Sequence, residues 1–145
     1  MQAMEISRTG LDVEWRRLEV IAENLANANT TRTASGSVYR TQRLITGPKS
    51  DFARMVGRGH GVEQSSSLAG VMVYGLEPTS TPTRRVFEPS HPHADADGFV
   101  TYPGFDHAAE MALMVKTARA YEANIVAMNA ARQMYSKAMD LGKRS

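Results

Sequence analysis

The C-terminal stretch from Asp106 to Leu141 constrains the fold more than any other part of the chain. Met111, Met114, Ala118, Tyr121, Ile125, Met128, Tyr135 and Met139 recur at alternating spacings of three and four, interrupted once at Arg132. That is the a/d seam of a coiled coil, sustained for about four heptads. Asp106, after the Pro103-Gly104 breaker, suits an N-cap, and Gly142 suits a stop. No Pro or Gly lies between them. At ~1.5 Å per residue such a helix is a rod of roughly 50 Å. A chain of 145 residues cannot cover a rod of that length with its own core, so the helix requires a partner.

A second long helix is expected from Met4 to about Asn29. Met4, Leu11, Leu18 and Leu25 repeat every seven residues, with Trp15 and Ala22 between them and Arg8 and Asn29 at the ends. This is another a/d seam, over about three heptads. Asp12 and Arg16 stand in the favourable i,i+4 order. Gly10 weakens the first turns by ~1 kcal/mol relative to Ala, so fraying is expected up to Thr9 unless a partner holds it. The helix ends in ENLANANTT, where Asn24, Asn27 and Asn29 read as a capped terminus. Buried Asn also sets register in coiled coils.

Both helices carry a second apolar series. In the first, Ile6, Val13 and Val20 repeat every seven residues on the side opposite Leu11 and Leu18. In the last, Leu113, Ala120, Ala127, Met134 and Leu141 do the same. A helix that is apolar on two faces is buried on two faces. Two helices bury one seam in each other, and the second seams need further neighbours. The pattern favours an assembly of like helices over an ordinary bundle.

Between the helices, residues 32–105 lose the helical period and gain Gly, Pro and Ser. Val38–Ile45 reads as a strand closed by Gly47-Pro48, and Gly70–Leu76 as the best strand of the insert. Arg85–Glu88 and Phe99–Tyr102 are shorter candidates. Gly57–Gly70, with GRGHG and SSS, reads as a mobile loop. The expected fold class is mainly α with a small β-rich insert. Residues 1–31 and 106–145 form a terminal-helix domain and residues 32–105 the insert.

Composition excludes several classes of chemistry. There is no Cys, which rules out disulfides, cysteine nucleophiles and Cys-based zinc sites. Net charge is +2, with no basic face of the kind nucleic acid requires. Residues 1–29 hold five acids and three bases, and residues 106–145 four acids and six bases, so the two helices carry opposite net charge. Apolar runs are too short to span a bilayer. The stretch MQAMEISRTG has no apolar core or small-residue cleavage site, so no cleavable signal peptide is expected. His91, His93, Asp95 and Asp97 invite a metal, but the calcium-loop template places Gly104 where its last carboxylate belongs, and a turn-rich loop is the expected reading. GRGHG lacks the GK[ST] of a phosphate loop, and no G-x-S-x-G elbow is present. Neither cofactor nor small-molecule substrate is expected.

Three stretches carry a resemblance to one family. SRTGLDVEWRRLEVIAENLANANTTRT (residues 7–33) resembles the N-terminal motif of the axial proteins of the bacterial flagellum. GVMVYGL and VFEPSHPHADADGFVTYP, within residues 70–103, resemble the pattern of the proximal rod subgroup. ARAYEANIVAMNAARQMYSKAMDL (residues 118–141) resembles the C-terminal axial motif.

The resemblance implies a structural protein without enzymatic activity. Its terminal helices pair as an antiparallel coiled-coil hairpin lining a hollow helical tube, and it leaves the cell interior unfolded through the flagellar export apparatus. It polymerises in the periplasm into the shaft that carries torque from motor to hook. Implied partners are its own copies and other rod proteins, with the membrane ring and export gate as further neighbours. The residues expected at assembly contacts are Leu11, Val13, Trp15, Leu18, Val20, Leu25, Asn27 and Asn29 on the first helix. On the last they are Met114, Tyr121, Ile125, Met128 and Tyr135. The residues alone leave two rivals: a soluble helical-bundle adaptor or regulator that forms a homo-oligomer, and an enzyme using the His/Asp loop.

Overall fold

A computed structural model describes residues 2–49 and 70–143. The order is α1 (Gln2–Ala26), β1 (Gln42–Pro48), β2 (Val71–Pro78), β3 (Arg84–Phe87), β4 (Phe99–Tyr102) and α2 (His107–Gly142). The protein is mainly helical with a small β insert. The strands form two two-stranded sheets, β1 with β2 and β3 with β4. Among the described residues, no helix is long and apolar enough to cross a membrane. Most of Gly57–Gly70, read from sequence as a loop, lies outside the described residues.

The chain divides into two compact units. The first contains α1 up to Trp15, the segment from Thr46 to Tyr74 and α2 from Ala118. Here the helix segments run antiparallel. A side chain on Gly10 would come within 2.9 Å of Asn124 Oδ1. Further along, the Trp15 and Tyr121 rings lie 6.2 Å apart. The glycine read from sequence as a weak point is thus a close-approach point between helices. Thr9 is also held: its hydroxyl donates to the Ile6 carbonyl at 2.7 Å and accepts the Val71 N–H at 3.1 Å. Gly70 has a φ of 88°, and a Cβ there would collide with the Thr9 hydroxyl.

The second unit contains Arg16–Ile45 and Gly75–Thr117. Its core holds Val20, Ile21, Ala28, Leu44 and Val100, together with the polar Asn24, Thr41 and Thr117. The Thr117 hydroxyl is satisfied by the Leu113 carbonyl at 2.8 Å. β3 and β4 pair antiparallel with Arg84 opposite Tyr102 and Phe87 opposite Phe99. Arg84 lies over the Tyr102 ring and Arg85 over the Phe99 ring, at 5.6 and 4.7 Å.

Element ends differ from the sequence reading for identifiable reasons. α1 stops at Ala26, not near Asn29, because Asn27 folds back: its Nδ2 donates to the Glu23 carbonyl at 2.9 Å. β1 begins at Gln42, four residues after Val38, because Tyr39 and Gln42 are drawn to the end of α1. Gly47 and Pro48 end that strand from within, and the Pro48 carbonyl accepts the Tyr74 hydroxyl at 2.7 Å. Arg16 pairs with Glu19 at 2.7 Å instead of Asp12. Asp106 does cap α2, its Oδ1 accepting the Ala109 N–H at 3.0 Å.

Candidate assembly interface

The two helices use their apolar faces differently. On α1 the buried series is Val13 and Val20, at 5% and 2% exposure. Carried on at the same three-four spacing, that series reaches Asn24, which is 1% exposed. Leu11, Leu18, Leu25 and Asn27 are half-buried, Asn29 is exposed, and Trp15 is 56% exposed. The leucine heptad is the more conspicuous in sequence, yet the valine series is the one the chain covers itself. On α2, Met114, Ala118, Tyr121, Ile125 and Met128 of the first series are half-buried, whereas Met111 at its start is 50% exposed. Tyr135 is exposed.

Coverage of α2 stops abruptly. Ala131 is half-buried, and every described residue after it is exposed. The helix lengths explain this, because α1 has 25 residues and α2 has 36. With Gly10 beside Asn124, Gln2 falls roughly opposite Arg132 in an antiparallel pair. Beyond that point α2 runs on with Met134, Tyr135 and Met139 in the open. Val115 and Val126, on its outer side, are exposed as well.

From the sequence, Asn24 reads as part of a capped helix end or as a register-setting Asn, and neither reading includes the partners it has. Its amide is fully used. Oδ1 accepts the Gln42 N–H at 2.8 Å and the Tyr39 hydroxyl at 2.9 Å. Nδ2 donates to the Gln42 carbonyl at 2.9 Å and also to the Glu110 carboxylate. One side chain thereby ties α1 to the following segment, to β1 and to α2. Its place in the valine series was the available signal. Glu110 lines a cleft of about 390 Å³ together with Thr41, Arg43, Glu77, Thr79 and Asp106. Burial raises its carboxyl above the usual range, while the Asn24 hydrogen bond and the Arg43 charge pull it back. Burial likewise raises Tyr39.

The His/Asp loop is occupied with its own turn. Asp95 Oδ1 accepts the N–H groups of Phe99 and Asp97 at 2.8 and 3.0 Å, and Oδ2 accepts Arg85 at 2.6 Å. These bonds, the Phe99 amide first, hold its carboxyl below the usual range. His93 Nδ1 lies 2.7 Å from the Thr31 hydroxyl. Among the described residues, no three His, Asp or Glu side chains are grouped to hold a metal.

Two family models match the chain. One, described as flagella basal body rod protein, covers residues 4–32, which is α1 and the turn after it. The other, described as the C-terminal part of flagellar basal body rod FlgEFG proteins, covers residues 96–141, which is β4 and α2. The flagellar basal-body rod protein FlgC of Borreliella burgdorferi is 31% identical, over 94% of this chain and 93% of its own. The FlgC proteins of Bacillus subtilis and Salmonella typhimurium are each 30% identical, the first over 97% of both chains and the second over 99% of this chain and 98% of its own. The chain belongs to the flagellar basal-body rod protein family. The similarity to FlgC proteins runs through the insert as well as the helices, as the resemblance in residues 70–103 implied. A rod protein of this kind is a structural component of the basal body, and the free-standing adaptor is not the favoured reading.

Proposed function

We propose that this rod protein is a proximal rod subunit whose terminal helices, residues 1–31 and 106–145, form an antiparallel coiled-coil domain in the wall of a hollow helical shaft. Residues 32–105 form the outer insert and meet neighbouring subunits. The shaft transmits torque from motor to hook. Its partners are further copies and other rod proteins, with the membrane ring and export gate at its base. The role is mechanical and involves no catalysis.

The observation that carries this reading is the uncovered end of α2 after Ala131. Each Leu, Met or Ile contributes ~1.5–3 kcal/mol when fully buried. Neighbouring subunits supply that burial, so the order of the helix ends and polymerisation are coupled. On the inner seam, Val13 and Val20 join the helices within one subunit. Leu11, Leu18, Leu25 and Tyr135 are contacts between subunits, with Trp15 and Tyr121 at the rim. Met114, Ile125 and Met128 serve the inner seam, and Asn27 and Asn29 shape the end of α1. The test is Leu25→Asp, and separately Ile125→Asp, in a motile strain. Both abolish rod assembly and swimming, and normal swimming with either change refutes the assignment.

A further inference from the structure

The apolar seams do not by themselves choose how the first half of α1 lies along α2. Leu11, Leu18 and Leu25 repeat every seven residues, as do Val13 and Val20, and so do Leu113, Ala120, Ala127 and Met134 on α2. Sliding one helix past the other by a heptad, about 10 Å, sets apolar residues opposite apolar residues again. A feature that occurs once has to make the choice, and Gly10 is the one glycine of α1.

In the first unit Gly10 meets Asn124, which is half-buried on α2. The whole carboxamide presses on the glycine: Oδ1, Cγ and Nδ2 stand 2.9, 3.1 and 3.1 Å from where a Gly10 Cβ would be. The side chain is held in that position by its own helix, because Nδ2 donates to the Ala120 carbonyl at 3.1 Å. Beside Gly10, the Thr9 hydroxyl joins the Ile6 carbonyl to the Val71 N–H, so α1 is fixed at the same level from a second direction. One heptad away on either side, Asn124 would face the Cβ of Ala3 or the long side chain of Arg17.

We propose that Gly10 and Asn124 are a matched hole and knob that seats the first half of α1 on α2 in one register. Asn124 is the positioning residue, and Gly10 is the place on α1 that admits it. The glycine lowers the intrinsic stability of α1, and the fit to Asn124 offsets that loss. The same register fixes where cover of α2 ends, near Ala131, with Met134, Tyr135 and Met139 left open. A shift of α1 by one heptad toward the end of α2 would lie over them. That the open length matters rests on the reading of this end as a contact between subunits.

The test measures amide hydrogen exchange in the full chain and in Gly10→Ala, Asn124→Ala and the double variant. Alanine is the better helix former, so Gly10→Ala with Asn124 also removed is expected to raise protection of residues 3–9 about fivefold. With Asn124 in place the same substitution leaves the carboxamide no seat. Protection of residues 3–9 is then expected to fall about tenfold, and that of residues 125–131 to fall with it. A change of the same sign in both backgrounds, or no protection of residues 3–9 in the parent chain, overturns the proposal. Should Gly10→Ala fail to fold, recovery of folding on adding Asn124→Ala supports the pair, and a double variant that stays unfolded overturns it. Exchange reads the subunit alone, so its outcome is separate from that of the rod reading, which the Leu25→Asp strain reports.

Discussion

Asn24 grips the Gln42 peptide by both of that residue's backbone groups: Oδ1 takes its N–H at 2.8 Å and Nδ2 gives to its carbonyl at 2.9 Å. A side-chain amide here does what a neighbouring strand does in a sheet. It stands at the end of the covered valine series, so the grip fixes where the insert leaves the helix. Asn24→Ala strands several buried polar groups at once and is expected to cost about 3 kcal/mol. Asn24→Asp keeps the acceptor but loses the donor and sets a second carboxylate beside Glu110. Urea unfolding at pH 7 checks both, and the Asp variant is expected to recover stability at acid pH.

Gly104 marks a second fixed point. A Cβ there would strike the Thr81 and Pro82 carbonyl oxygens, which belong to backbone and cannot rotate away. Gly104→Ala is expected to lower stability by about 2 kcal/mol or more. Gly142 has open space around it, and Gly142→Ala is expected to be neutral or to add up to about 1 kcal/mol. Thermal melts of the two variants make the comparison.

Asp95 makes the β3–β4 hairpin acid-sensitive. Its carboxyl is held low, so its contribution is complete above the ordinary aspartate range and is lost as pH falls through the lower, folded value. The amide signals of Phe99 and Asp97, both bonded to Oδ1, are expected to shift together across that lower window. Asp95→Asn loses the Arg85 ion pair and is expected to remove the transition.

Periodicity made most of the architecture legible. Two long helices, the β insert and the Asp106 cap follow from the three-four spacing, from Gly and Pro punctuation and from one well-placed acid. Which face of α1 the chain covers itself was not legible, because both series repeat every seven residues and the leucine series is the more conspicuous. Burial separates them in the fold, with Val13 and Val20 covered and Leu11 and Leu18 only half so, while Gly10 marks a point where α2 comes close. The role of Asn24 depends on Gln42 and Tyr39 reaching back from beyond the helix end, a long-range relation that local pattern does not hold. Arg16 pairs with Glu19, and Asp12 lies on the same helix face, so spacing alone did not choose between the two acids.

The covered and uncovered faces separate folding from assembly. Val20→Asp places a charge in the core and is expected to unfold the second unit, costing on the order of 4 kcal/mol. Circular dichroism of the isolated chain reports it as lost helix and a lost cooperative melt.

Assembly through the open end of α2 is tested by Met134→Glu and Met139→Glu, made together beyond the last covered residue of that helix. Surface changes of this kind leave subunit stability within about 0.5 kcal/mol. If assembly uses this end, the urea midpoint of the isolated chain stays unchanged while swimming and rods in imaged basal bodies are lost. Normal swimming with intact rods, from a strain making the variant at ordinary levels, would contradict it.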